Sequence, residues 1–114
     1  MKELVFGELI TLKGQHCLRI PVEMGINMLC VEVLEGKIRI NHGAYTPDGG
    51  TWLSAPAGRK AHYDFSSSDK HRLDIDIRES FGKQDMLSVV NVSLFRKAVL
   101  RISQENYHNQ QNVP

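Results

Sequence analysis

Histidines and carboxylates are the side chains with which this chain could do chemistry, and their spacing argues against most of it. The five histidines are His16, His42, His62, His71 and His108, and no two stand at i, i+2 or i, i+4. Those separations would put two imidazoles on one face of a strand or a helix. A divalent ion needs several converging ligands to offset its desolvation, so scattered imidazoles read as surface or hydrogen-bonded structural groups. The expectation is no metal and no other cofactor. Were a metal held, its ligands would be His42, His62 and His71, on loops meeting at one rim. Asp74 and Asp76 lie about 7 Å apart if they share a strand face, close enough for acid/base work. Arg72 and Arg78 flank them, which makes a solvated charge ladder the simpler account.

Other reactive constellations are missing from the sequence. No serine stands in a Gly-x-Ser-x-Gly elbow, and no glycine loop of the phosphate-cradling type precedes a helix pattern. Cys17 and Cys30 stand in apolar surroundings with no CxxC motif. They read as small buried hydrophobes in a reducing compartment, neither a thiolate cluster nor a disulfide. Two basic clusters stand out: Arg59 with Lys60, and Arg96, Lys97 and Arg101. Residues 85–114 carry three basic and two acidic side chains. That excess is too small for phosphate-backbone contacts, so nucleic acid is not expected as a partner.

The elements that must position these groups follow from periodicity. Arg72-Leu73-Asp74-Ile75-Asp76-Ile77-Arg78 alternates apolar and charged residues without a break, the pattern of a strand with one dry face. Met28 to Leu34 and Lys37 to Asn41 read as two strands of a hairpin turning at Glu35-Gly36, glycine supplying the positive φ. Leu4 to Leu12, His16 to Ile20, Trp52 to Ala55 and Ala61 to Phe65 add further strands. In the last, Ala61, Tyr63 and Phe65 take the buried face and His62 and Asp64 the wet one. Strands of this spacing predict an antiparallel sandwich or barrel. Leu94, Phe95, Ala98, Val99 and Ile102 form a 3.6-residue stripe, so an α-helix is expected over about 93–107, capped by Ser93. Met86 to Val92 reads as a last strand before that helix, or else as its first turns. Residues 108–114 are too polar to order themselves.

A chain of 114 residues with 41% hydrophobic side chains supports one domain, here residues 1–107. Its formal charge of +1 excludes a protein that coats polyanions over its whole surface. Mean hydropathy is -0.30, no apolar run is long enough to span a membrane, and acids interrupt the first residues where a secretory signal would be apolar. The expectation is a soluble, cytoplasmic protein with no membrane association.

Residues 28–65 resemble the central part of a cupin. Val33-Leu34-Glu35-Gly36 followed by Lys37-Ile38-Arg39-Ile40 is similar to that family's strand, glycine turn and second strand. Gly50, Pro56 and Gly58 repeat the spacing Gly, five residues, Pro, one residue, Gly. The resemblance implies a mainly β fold, a small antiparallel β-barrel or jelly roll, here with the C-terminal helix. It also marks departures. The family's histidine position falls on Ala61, with His62 one residue late, and the upstream ligand positions hold Glu23, Gly25 and Leu29. The metal-binding motif is therefore degenerate. Leu29, Val31 and Val33 would line the barrel, with Trp52 and Tyr63 beside a ligand cavity. Cupin-like effector domains of arabinose-regulator-type transcription factors are similar in pairing a metal-free barrel with helices used for dimerisation. The implied function is a non-enzymatic binding or regulatory domain, a homodimer taking an apolar or sugar-like ligand or a protein partner. The alternative is a small cupin-type metalloenzyme, isomerase or dioxygenase, with a displaced ligand set.

Overall fold

Alternation at period two dominates the described chain, and it builds two facing sheets. The computed structural model describes residues 2–45, 52–54, 60–80 and 82–105. They form β1 (Leu9–Leu12), β2 (Cys17–Ile20), β3 (Gly25–Glu35), β4 (Lys37–Tyr45), β5 (Trp52–Ser54), β6 (His62–Ser66), β7 (Lys70–Ile77), β8 (Glu79–Ser80), β9 (Lys83–Asn91) and β10 (Ala98–Gln104). Every second residue points inward: Leu29, Val31 and Val33 on β3, Ile38 and Ile40 on β4, Ile75 and Ile77 on β7, Leu87 and Val89 on β9, and Ala98, Leu100 and Ile102 on β10 are all buried. Side chains from the two inner faces meet in one core, each buried Leu, Ile or Val contributing about 1.5–3 kcal/mol against exposure.

One sheet runs β1-β10-β3-β7. The other runs β2-β9-β4-β5, with β6 also on β4 and β8 on β9. Apart from the short β5 and β8, the pairings are nested. The first strand pairs with the last (Leu9↔Arg101), β2 with β9 (Cys17↔Val90), β3 with β7 (Leu29↔Leu73), and β4 with β6 (Ile40↔Tyr63), all antiparallel. The pairs β10–β3 and β9–β4 then weld this folded ribbon into two sheets.

Several expectations need correction. The strands form two separate sheets, with no closed barrel among the described residues. The expected helix at 93–107 is replaced by a loop followed by β10. Leu94 and Phe95, which the helical stripe required to be buried, are 62% and 95% exposed. Ala98, Leu100 and Ile102 carry the burial instead, at strand period. β10 lies between β1 and β3 and hydrogen-bonds to both, and this two-sided pairing overrides the local helical pattern. Leu4 to Leu12 is not one strand: a turn at Gly7, φ +85°, divides it. Leu4 stays buried beside β2, its N–H donating to Arg19 O at 2.7 Å. Cys17 is exposed and Cys30 half-buried, because Leu18 and Ile20 take the inward positions of β2 and Leu29 and Val31 those of β3.

The turn at Gly36 is not a hairpin. β3 and β4 belong to different sheets, so Gly36 carries the chain from one layer to the other. Its φ is +83°, and a Cβ there would come within 2.7 Å of Lys97 O and 3.0 Å of Ala98 Cα. Only glycine fits both the backbone and the space. This corner sits beside a buried clamp. The Asn91 amide donates to Leu12 O at 3.0 Å and Arg96 O at 2.7 Å, and its Oδ1 accepts from Ser93 N at 2.9 Å. Those bonds fix the 92–97 loop, and Gln15 N donating to Ser93 O at 3.1 Å ties the 13–16 turn to it.

Candidate functional site

Two places concentrate polar groups, one at each end of the sandwich. At the Gly36 end, the chain leaving β3, the turn after β6 and the loop before β10 surround a cleft of about 730 Å³. Its lining is Glu35, Gly36, Lys37, Ser66, Ser67, Ser93, Arg96 and Lys97. The wall is held by backbone contacts: Ser67 Oγ accepts from Gly36 N at 2.9 Å and donates to Gly36 O at 3.3 Å. Asp69 Oδ2 accepts from Ser66 N at 2.7 Å, closing the β6–β7 turn. Among the described residues three cations line it with one carboxylate, Glu35, which is 3.9 Å from Lys97 Nζ. The side chains of Lys37 and Arg96 are exposed and have no partner among the described residues.

A smaller hollow of about 250 Å³ continues from it, sharing Lys37 and Ser66 and reaching Arg39 and Asp64. Arg39 Nε donates to Asp64 Oδ1 at 2.7 Å and Nη2 to Oδ2 at 3.4 Å. This bidentate pair holds the Asp64 carboxyl below the usual carboxylate range and raises the guanidinium's own pKa. The pair closes one side of the hollow and leaves Lys37 as its unpaired cation.

At the opposite end, His42 on β4 and Asp85 on β9 lie inside the sandwich, Nε2 to Oδ2 3.3 Å, with side chains 2% and 6% exposed. Asp85 Oδ2 also accepts from Arg78 N at 2.9 Å. Asn27, buried on the facing sheet at the same end, is saturated. Its amide donates to Glu23 O at 2.7 Å and Gly25 O at 3.1 Å, and its Oδ1 accepts from Gln104 Nε2 at 2.8 Å.

The residues expected from sequence are dispersed. Leu29, Val31 and Val33 are packed core side chains, 1%, 0% and 1% exposed, and none lines either cleft. Tyr63 is half-buried on β6, with Lys60 Nζ 4.9 Å from its ring centroid. Trp52 lies in β5, its backbone in register with Tyr45. Arg59 lies outside the described residues, as do Gly50, Pro56 and Gly58 of the cupin-like spacing. Arg96 and Lys97 belong to the cleft. Arg101 is separated from them on β10, 3.9 Å from Glu32, so the expected basic helix face does not exist.

His42, His62 and His71 do not converge: they lie on β4, β6 and β7, in strands and not in loops. His62 and His71 are exposed, His71 with its ring 5.6 Å from Phe65. Among the described residues no group of three or more His, Cys, Asp or Glu side chains is placed to hold a metal ion. Asp74 and Asp76 each take a flanking arginine, Arg72 at 3.3 Å and Arg78 at 2.7 Å.

Sequence reasoning gave Lys37, Ser66 and Ser67 no part in a site, took Ser93 for a helix cap, and gave Asp85 and Asn91 no buried role. Lys37 and the serines carry no motif, since the Gly36 crossover alone brings them together. Asp85 and Asn91 did leave a signal. Both fall in phase with Leu87 and Val89, so extending the alternation of β9 in both directions puts a polar residue on the buried face twice. Among the described residues no helix is long and apolar enough to cross a membrane. No protein-family model, no curated protein and no solved structure matches the chain.

Proposed function

We propose that this chain is a non-enzymatic binding domain of jelly-roll, cupin-like topology that engages its ligand or partner at the Gly36 corner rather than between its sheets. The nested pairing of eight strands supports the jelly roll, since a ribbon folded first-to-last is how that architecture is built. The location of the site rests on one observation: both clefts open around Lys37 and Ser66, while the inner faces are filled by packed side chains such as Leu29, Val31 and Ile40. Exposed Leu34, Val92, Leu94 and Phe95 come from the segments that border that end, an apolar rim suited to a protein partner or to a second copy in a homodimer. Two free cysteines fit a cytoplasmic, regulatory setting.

A thermal-shift screen of metabolites, run with sedimentation of the protein alone, tests the reading. A ligand that binds the native state raises its melting temperature, and the rise should disappear when Arg96 is replaced by tryptophan to fill the cleft. If shifts persist in that variant, the Gly36 corner is not the site.

The second reading is a small cupin-type metalloenzyme with a displaced ligand set, for which the buried His42–Asp85 pair would supply two of the ligands. Stoichiometric Fe, Mn, Ni or Zn in untagged protein, lost on His42→Ala, would select it over the first.

A further inference from the structure

We infer that the Gly36 corner cleft is a site for a phosphomonoester, with the phosphoryl group held between Lys37 and Arg96 and the organic part against the Leu94–Phe95 apex. The inference rests on the binding reading above and assigns its ligand chemistry. Among the described residues the lining carries three cations, Lys37, Arg96 and Lys97, and the Ser93 hydroxyl against one carboxylate, Glu35, while the Ser66 and Ser67 hydroxyls already donate to Asp69 Oδ2 at 3.4 Å and Gly36 O at 3.3 Å. Glu35 is already matched by Lys97 at 3.9 Å. Lys37 and Arg96 remain, two positive charges without side-chain partners among the described residues.

A phosphomonoester at neutral pH carries about -1.5 to -2 charges and three acceptor oxygens. It matches two free cations and the Ser93 hydroxyl, where a single carboxylate would leave one cation unmatched. Arg96 offers the planar fork that suits phosphate oxygens, and Lys37 a point charge from the other wall.

The apex adds a second kind of contact. Phe95, between the lining residues Ser93 and Arg96 in the chain, is 95% exposed, and Leu94 is 62% exposed. The loop is not free to fold these side chains away. Asn91 holds it at Ser93 N and Arg96 O, and Gln15 N holds it at Ser93 O. A bare aromatic side chain on a pinned loop, next in the chain to the unpaired Arg96, suits a ligand that is part anion and part apolar.

Calorimetric titration of the full chain at low salt with phenyl phosphate, inorganic phosphate and benzoate tests this. Phenyl phosphate should saturate and bind more tightly than either of the others. The double variant Lys37→Ala/Arg96→Ala should weaken it by about tenfold or more, while Arg78→Ala, at the opposite end, leaves it unchanged. Phe95→Ala should bring phenyl phosphate down to the level of inorganic phosphate. Every substituted side chain is exposed, and melting curves of each variant verify that it is folded. Vesicles of phosphatidic acid against phosphatidylcholine separate the sources: capture by phosphatidic acid indicates a lipid headgroup, and soluble binding without capture a free phosphorylated compound.

The inference is overturned if no phosphate probe saturates, if benzoate equals phenyl phosphate, or if Lys37→Ala/Arg96→Ala and Arg78→Ala weaken binding alike. A neutral ligand lost on Arg96→Trp in the thermal-shift screen would leave the corner as a binding site with a different chemistry. If no ligand of any class responds to that variant, the binding reading falls as well.

Discussion

His42 and Asp85 meet diagonally across β4 and β9: Nε2 lies 3.3 Å from Oδ2, yet the register partner of His42 is Leu87 and that of Asp85 is Ala44. Diagonal neighbours on one face of an antiparallel pair are within reach of longer side chains, and here the reach joins two buried polar groups inside an apolar layer. Asp85 is further committed to Arg78, accepting from its N–H at 2.9 Å through the carboxylate and donating its own N–H to Arg78 O at 2.9 Å. The end of β7 and the start of β9 are thus locked together.

Asp85→Ala therefore removes the buried contacts to His42 Nε2 and Arg78 N, and it should lower the unfolding free energy by about 2–4 kcal/mol. Asp85→Asn keeps an oxygen for Arg78 N and should recover part of the loss. Urea titrations of the three proteins check the order. An unchanged midpoint in Asp85→Ala would mean that the pair is not buried.

Two glycines separate backbone strain from close approach. Gly25, φ +96°, has open space where a Cβ would stand, whereas Gly36, φ +83°, would drive one to 2.7 Å from Lys97 O. Gly25→Ala should cost about 1–2 kcal/mol from the left-handed backbone alone, and Gly36→Ala clearly more, because backbone must move. Equal losses in parallel chemical melts would show that the β3–β4 crossover is not packed against β10.

Asn91 spends its whole side chain on three backbone groups, one at the end of β1 and two in the 92–97 loop. Asn91→Ala leaves those groups without their partner and should cost about 2–4 kcal/mol. Amide exchange should rise first at Ser93. Protection that stays at the wild-type level would show that the loop is held by something else.

The Arg39–Asp64 pair predicts a pH signature. Its hydrogen bonds lower the Asp64 carboxyl below its unfolded value, so the stabilisation is present above the ordinary carboxylate range, near pH 4 for a free carboxyl (about 3.9 for Asp). It is lost as pH falls through the lowered, folded pKa. Both side chains are largely exposed, so the contribution is small and salt-sensitive. The gap in urea midpoint between wild type and Asp64→Asn should be open at neutral pH and close on acidification. A gap that does not change with pH would assign the pair no role in stability.

Much of the architecture is legible in residues whose side chains alternate. Leu73, Ile75 and Ile77 announce β7 because the pleat turns every second side chain inward, and Phe65 with His62 sets the facing of β6 in the same way. The reading fails where two periods fit the same residues. From Leu94 to Ile102, a helical stripe and a strand alternation share Ala98 and Ile102, and choosing between them requires knowing that β1 and β3 leave a slot with open hydrogen-bonding edges on both sides. The candidate site was less legible still. Arg96 and Lys97 drew notice as charges, but Lys37, Ser66 and Ser93 carry no local mark of a site.

The amino-acid sequence by itself determined a mainly β fold, the inward set of most strands, and the scarcity of catalytic motifs, because composition and alternation are local properties. Tertiary structure decided which strands pair, the passage of Gly36 between layers, and the gathering of Lys37, Ser66, Ser93 and Arg96 around one cleft. The reason is chain separation. A crossover makes neighbours of residues dozens of positions apart, and only the backbone hydrogen bonds between distant strands specify which ones.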